Sequence, residues 1–191
     1  MDIVECFDEV FEQKDFTSAR LAKGDYEGCL FKQCQFTESD LSEIRFIDCE
    51  FIGCNLSNVK LQGTSFQQVR FDECKLLGLH FEHCDAFAFG ITCKKTQLMP
   101  ASFYQCALAN TIFEACDLTE ADFTQANLTN AVFNESTLNR AIFDQTILEQ
   151  ADVSRASGIQ IDPTKNKLRG AKFSRENALG LLQGFGIEVV D

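Results

Sequence analysis

The chain has 191 residues, 29 acidic against 17 basic side chains for a formal charge of −12, 19 Phe, ten Cys, two Pro, two His and no Trp. That length suits one domain with a real core, and the acidic balance argues against direct binding to nucleic acid or an anionic membrane, whose phosphates draw on Lys and Arg. With no run of 18 apolar residues, and an opening Met1-Asp2-Ile3-Val4-Glu5-Cys6 unlike a signal peptide, the expectation is a soluble cytoplasmic protein whose cysteines are thiols.

From Phe11 a large apolar residue recurs every five positions. Positions 11, 16, 21, 26, 31, 36, 41, 46, 51, 56, 61, 66, 71, 76 and 81 read Phe, Phe, Leu, Tyr, Phe, Phe, Leu, Phe, Phe, Leu, Leu, Phe, Phe, Leu, Phe. After Ala86 the register slips by two and resumes at Leu98, continuing through Phe103, Leu108, Phe113, Leu118, Phe123, Leu128, Phe133, Leu138, Phe143 and Leu148 to Val153. Two residues before each of these centres lies a second periodic site, which from 101 to 151 holds only Ala, Cys, Thr and Ser. A period of five matches neither a helix nor a plain strand. It fits a square solenoid: each quintet forms one wall, its large centre and small partner point inward, and its other three residues face water. Four quintets make a coil of 20 residues, stacked at the strand spacing of ~4.8 Å, so about 28 quintets give ~7 coils and a rod ~34 Å long. Phe103, Phe113, Phe123, Phe133 and Phe143 are then core.

Cys29, Cys34, Cys49, Cys54, Cys74, Cys84, Cys106 and Cys116 fall on the small inward site. A metal column or disulfides is one reading of them. Buried small hydrophobes is the preferred one, because no C-x-x-C occurs and parallel stacked side chains match tetrahedral zinc poorly. Cys6 and Cys93 lie outside the pattern, and Cys93 is a candidate reactive thiol. His80 and His83 flank Phe81 on outward positions, with no Ser or Cys nucleophile in an obvious base-and-orienter arrangement, and Gly53, Gly63 and Gly78 follow centres, where turns need them. No phosphate-binding glycine motif occurs. The chain reads as a non-enzyme with no cofactor and no metal.

The slip, residues 87 to 100, predicts a bulge or short loop, read as a structural correction in preference to a projecting contact loop. After about residue 155 the pattern fades, dividing the chain into a solenoid, 1–155, and a C-terminal capping or dimerisation segment, 156–191. Ser174 can cap a helix from Arg175 with an apolar face of Ala178, Leu179, Leu181 and Leu182, ended by Gly184, and 186–190 reads as a short strand. So short a helix must pack on something. It either plugs the last coil or builds a two-fold interface, and the second is preferred, with Leu179, Leu182, Phe185, Ile187 and Val189 as the dimerisation residues.

Charge is uneven. Between Thr96 and Ser154 eight carboxylates face Arg140 alone, a net −7. Seven of them, Glu114, Asp117, Glu120, Asp122, Glu135, Asp144 and Glu149, form a candidate acidic wall for a partner.

Quintets such as Ala121-Asp122-Phe123-Thr124-Gln125 and Ala126-Asn127-Leu128-Thr129-Asn130 resemble the A(D/N)LXX repeats of the pentapeptide-repeat family over about residues 11 to 155. The resemblance implies an all-β, right-handed quadrilateral β-helix with a short C-terminal helix and strand. The near-complete run of quintets and the ending Leu181-Leu182-Gln183-Gly184-Phe185-Gly186-Ile187-Glu188-Val189-Val190 look more like the Qnr, MfpA and McbG kind than like orphan members, and Gly158-Ile159-Gln160-Ile161-Asp162-Pro163 is similar to the microcin-immunity member. That likeness implies a DNA-mimicking homodimer that engages DNA gyrase or topoisomerase IV and protects it from quinolones or peptide toxins. The chain departs from the larger quinolone-resistance members in lacking an evident long loop. The alternative is an acidic solenoid scaffold for protein–protein contact in another pathway.

Overall fold

A quintet that turns inward twice must bend its backbone once per unit, and the dihedral angles show where. Twenty-one non-glycine residues hold a positive φ, between 47° and 65°, and apart from Ala88 each stands two places after an inward centre, as at Gln13, Gln33, Asn110, Gln125 and Gln150. Gly53, Gly63 and Gly78 occupy the same corner with φ of 62° to 66°. Left-handed geometry is costly for side-chain-bearing residues and persists only where the surroundings impose it. Here the stacked coils do.

The computed structural model describes residues 4–182 together with Phe185 and Ile187. Eleven short strands stack in parallel: β1 (Val4–Phe7), β2 (Val10–Glu12), β3 (Gly24–Glu27), β4 (Leu30–Lys32), β5 (Arg45–Ile47), β6 (Glu50–Ile52), β7 (Ser65–Gln67), β8 (Val69–Asp72), β9 (Ile91–Lys94), β10 (Ile112–Glu114) and β11 (Val132–Asn134). The order β1-β3-β5-β7 makes the first wall and β2-β4-β6-β8-β9-β10-β11 the second. The third and fourth walls are ladders of single bridges, Asp15–Gln35–Asn55–Lys75–Gln97–Asp117–Thr137–Ser157 and, on the fourth, His80–Ser102–Asp122–Ile142. The seven-stranded wall counts out about seven coils, in the quadrilateral arrangement that the period requires.

Three side-chain devices explain the repeat's chemistry. Equivalent centres stack ring on ring up each wall: Phe11–Phe31–Phe51–Phe71 at centroid spacings of 4.8, 4.6 and 5.2 Å, and Phe81–Phe103–Phe123–Phe143 at 4.7, 5.1 and 5.2 Å. Rings on opposite walls meet edge to face across the core, as Phe123 of the fourth wall and Phe133 of the second do at 5.9 Å and 89°, a favoured aromatic geometry. Asp or Asn just before a centre accepts the N–H two residues on, as in Asp117 from Thr119 (3.1 Å), Asp122 from Thr124 (2.8 Å) and Asn127 from Thr129 (3.1 Å). These Asx turns favour those two residue types there.

The third device concerns the small inward site. On the third wall Cys34, Cys54, Cys74, Thr96, Cys116 and Ser136 each donate to the carbonyl oxygen 23 or 25 residues earlier, on Phe11, Phe31, Phe51, Phe71, Cys93 and Phe113, at 3.1 to 3.3 Å. Thr64 and Thr146 do the same for Leu41 and Phe123 at 2.8 Å. On the third wall the site takes a small group carrying one donor, so Cys, Ser and Thr interchange there, whereas Ala101, Ala121, Ala131 and Ala141 on other walls fill it by size alone. The thiols are therefore weak hydrogen-bond donors as well as the small hydrophobes expected.

The two extra residues have a local address. Register jumps from 20 to 22 between β8 and β9, where Val69 pairs with Ile91 and Phe71 with Cys93, then returns to 20. The departure from regular coil runs from a short 3-10 turn at Phe81–His83 to about residue 90, for β9 already carries the regular second wall. Cys93, which the sequence left as a candidate reactive thiol, is instead fully buried in the centre column between Phe71 and Phe113. Its burial pushes the thiol well above its ordinary range and removes it from reagents. Of the ten cysteines only Cys84 is partly exposed.

Backbone pairing continues beyond residue 155, through Ile147–Lys167 and Asp152–Lys172. Leu168 and Phe173 pack against the core there. The fading sequence pattern near 155 thus marks a partial further coil rather than the end of the ladder. Helix α1 (Arg175–Gly180) follows, with the Ser174 hydroxyl accepting the Asn177 N–H at 3.0 Å as its cap. Asn177 Nδ2 in turn donates to the Val153 and Ala156 carbonyls, at 3.1 and 2.8 Å, pinning the helix across the last coil. Most of the expected strand at 186–190, including Val189, lies outside the described residues.

Candidate docking surfaces

The predicted core residues are where the period puts them: Phe103, Phe113, Phe123 and Phe133 are fully buried and Phe143 nearly so. The predicted acidic residues are all outward, but they do not share one wall. Glu114 and Glu135 lie on the second wall, Asp117 and Glu120 on the third, Asp122 and Asp144 on the fourth, and Glu149 on the first. A stride of five over a four-walled coil sends successive quintets to successive faces, so a run of acids in sequence wraps the rod.

Stacking also pairs many of them. Glu114 meets Lys94 at 3.5 Å, Glu120 meets Arg140 at 2.5 Å, and Glu135 meets Arg155, each across one coil. Farther toward the N-terminus, Asp25 with Arg45 and Glu73 with Lys95 follow the same rule. These are exposed pairs of small energetic value. Asp117, Asp122, Asp144 and Glu149 make no ion pair among the described residues. The coils of residues 96–154 carry eight carboxylates and Arg140, a net −7 on about three coils, and bases of the flanking coils, Lys94, Arg155 and Lys172, lie against Glu114, Glu135 and Asp152. At ~4.8 Å per coil that net charge is about one per 2 Å of axis, against about one per 1.7 Å for duplex DNA.

The slip supplies the second surface. Asp85 N donates to Thr64 O and Gly90 N to Phe66 O, both at 2.9 Å, so the loop is held at its base. Asp85 Oδ1 takes the Phe87 N–H at 3.0 Å, and Ala88 turns the chain at φ 52°. Phe89 folds back onto the core against Phe81, centroids 6.3 Å apart, whereas Phe87 points out, 75% exposed. The sequence named this segment but not the projecting ring. The available signal was that Phe87 is off the five-residue register, in a chain where fourteen of nineteen Phe are centres. His80 and His83 are exposed nearby, with rings 5.4 Å apart and His80 Nδ1 2.9 Å from Glu82 Oε1.

At the C-terminal end Leu179, Phe185 and Ile187 are about half exposed, and Leu182 is partly buried. Leu179 and Ile187 line a groove of about 370 Å³ with Gly158, Ile159 and Gln160 of the last coil. Among the described residues no group of His, Cys, Asp and Glu is arranged to hold a metal, and no helix is long and apolar enough to cross a membrane.

The sequence profile of the pentapeptide repeat region matches residues 25–91 and 96–178, most of the chain. The chain belongs to the pentapeptide-repeat family. Two trypsin-treated variants of QnrB1, described as a plasmid-mediated fluoroquinolone resistance protein, superpose with TM-scores of 0.75 and 0.64, each at 18% identity. The first likeness covers 97% of this chain and 91% of that one, the second 96% and 99%. At that identity it establishes the shared solenoid. No curated protein matches the sequence.

Proposed function

We propose that this pentapeptide-repeat protein is a non-enzymatic, DNA-mimicking dimer that occupies the DNA-binding surface of a type II topoisomerase, DNA gyrase or topoisomerase IV, and protects it from, or modulates, quinolones or peptide toxins. The observation that carries the reading is the charge density of the 96–154 coils, close to that of a duplex, on a rigid and narrow rod. Such a field sets on-rate and salt sensitivity. The half-exposed apolar residues beside the last coil, Leu179, Phe185 and Ile187, support a two-fold contact at that end, and a solenoid shared with QnrB1 supports the class of partner.

A purified sample should alter gyrase supercoiling or restore it in the presence of a poison. Asp117→Asn and Asp122→Asn keep their Asx-turn bonds while losing charge, and Asp144→Lys and Glu149→Lys reverse charges that make no ion pair, so all four should weaken the effect in a folded protein. No effect on either enzyme, with or without poisons, would sink the proposal.

One observation favours a second reading, an acidic scaffold for other protein contacts: Glu114, Glu120 and Glu135 are already occupied by bases of the adjacent coil. Affinity capture from the native host separates the two. Recovery of gyrase or topoisomerase IV subunits supports the first, and reproducible recovery of unrelated proteins the second.

A further inference from the structure

The two-residue slip does more than push Phe87 outward. It opens a cavity of about 220 Å³ beneath the loop, walled by the aromatic rings of Phe81, Phe89 and Tyr104 and by Glu82 and Asp85, with no basic residue in its lining. Glu82 Oε1 is engaged by His80, whereas Glu82 Oε2 is shut off from solvent with no hydrogen-bond partner. A carboxylate oxygen left without a donor is costly, and rotation of the Glu82 side chain, which is 22% exposed, is what would present it to a donor in the cavity. The Cys84 thiol in the same lining is pushed up by burial and further by Cys106, Glu82 and Asp85, which agrees with negative potential at the site.

The geometry points to a receptor pocket for a single arginine side chain presented by a protein partner. Two carboxylates supply the charge complement, and aromatic faces favour a planar guanidinium over a compact ammonium. The volume equals that of about seven waters at ~30 Å³ each, which suits a side chain of seven heavy atoms. Phe87, 75% exposed and next in the chain to Ala86 of the lining, provides the apolar contact that a protein surface, but not a free cation, would cover. An arginine would be recognised here whether or not its bearer is a topoisomerase, so the two proposals fail separately.

The test is an amide-resonance titration of the full chain with N-acetyl-arginine amide, and with the lysine and glutamine analogues as comparisons. Saturable shifts centred on Glu82, Cys84, Phe89 and Tyr104, in the millimolar range expected for so small a ligand, are the expected result. The lysine analogue should bind several-fold more weakly and the glutamine analogue not at all. A Glu82→Gln/Asp85→Asn double variant, in which the new side-chain carbonyl at position 85 can still accept the Phe87 N–H, should lose about tenfold in affinity. Tyr104→Ser, at a surface ring, should weaken binding without altering the spectrum elsewhere. Equal response to arginine and glutamine amides, equal affinity for arginine and lysine, or unchanged affinity in the folded double variant would overturn the assignment.

Discussion

Replacing Phe123 by Ala removes a ring that is fully buried, stacked between Phe103 at 5.1 Å and Phe143 at 5.2 Å, and met edge-on by Phe113 at 6.2 Å and Phe133 at 5.9 Å. Loss of a large buried aromatic costs ~3–5 kcal/mol, and with neighbours on four sides this position belongs at the top of that range. In a molecule of this size each 1 kcal/mol lowers Tm by about 2–4 °C, so a fall on the order of 10–15 °C is expected. Phe123→Leu, which restores the other residue type found at centres, should cost less than half as much. Phe16→Ala offers the internal comparison. Phe16 is only partly buried and, among the described residues, stacks face to face on one ring, Phe36 at 4.7 Å. Its loss should cost about 2 kcal/mol. Denaturant unfolding followed by circular dichroism in a reducing buffer measures all three. If Phe16→Ala is as damaging as Phe123→Ala, the ring ladder is not what holds the coils together. Because each coil contacts only its neighbours, Phe123→Ala should also broaden or split the transition, which the end substitution should not.

Three further outcomes follow from the same geometry. Burial pushes the thiols of Cys49 and Cys106 up to about 12 and that of Cys116 up to about 11, above the unfolded value near 8.5. As pH rises past that unfolded value the unfolded chain loses thiol protons that the folded one keeps, so stability falls by up to about 1.4 kcal/mol per pH unit per thiol; a denaturation midpoint that stays flat to about pH 10 under reducing conditions would contradict it. The carboxyls of Asp40 and Asp152 are held below the ordinary range chiefly by the hydroxyls of Ser42 and Ser154. Their contribution is present above about pH 4 and is lost as pH falls through the folded values, so Asp152→Asn should blunt the acid limb of the stability profile. Gly24→Ala would place a methyl 2.0 Å from the Val4 carbonyl oxygen; hydrogen exchange should then show β1 detached while β4 to β11 keep their protection.

How much was legible beforehand differs between core and surface for a physical reason. A centre such as Phe123 faces inward because its position within the quintet says so, whatever the rest of the chain does. Neighbourhood is another matter. Phe71 and Cys93 look unrelated in sequence, yet a 22-residue coil makes them stacking partners, and so turns the one cysteine suspected of reactivity into a sealed core residue. The Cys, Ser and Thr column was seen as small, but its hydrogen bonds run to carbonyls of the coil below, and no local pattern announces an acceptor 23 residues away.

By itself, then, the sequence determined the repeat, its two inward positions, the four-walled coil and the core outside the slip, since each depends only on spacing and side-chain size. It also determined the helix cap at Ser174, a local hydrogen bond. The tertiary structure alone decided which charges are paired, that Cys93 stacks between Phe71 and Phe113, and where the slip sends its two phenylalanines. Those are relations between residues about 20 apart, created when one coil settles on the next, and so they belong to the stack rather than to the quintet.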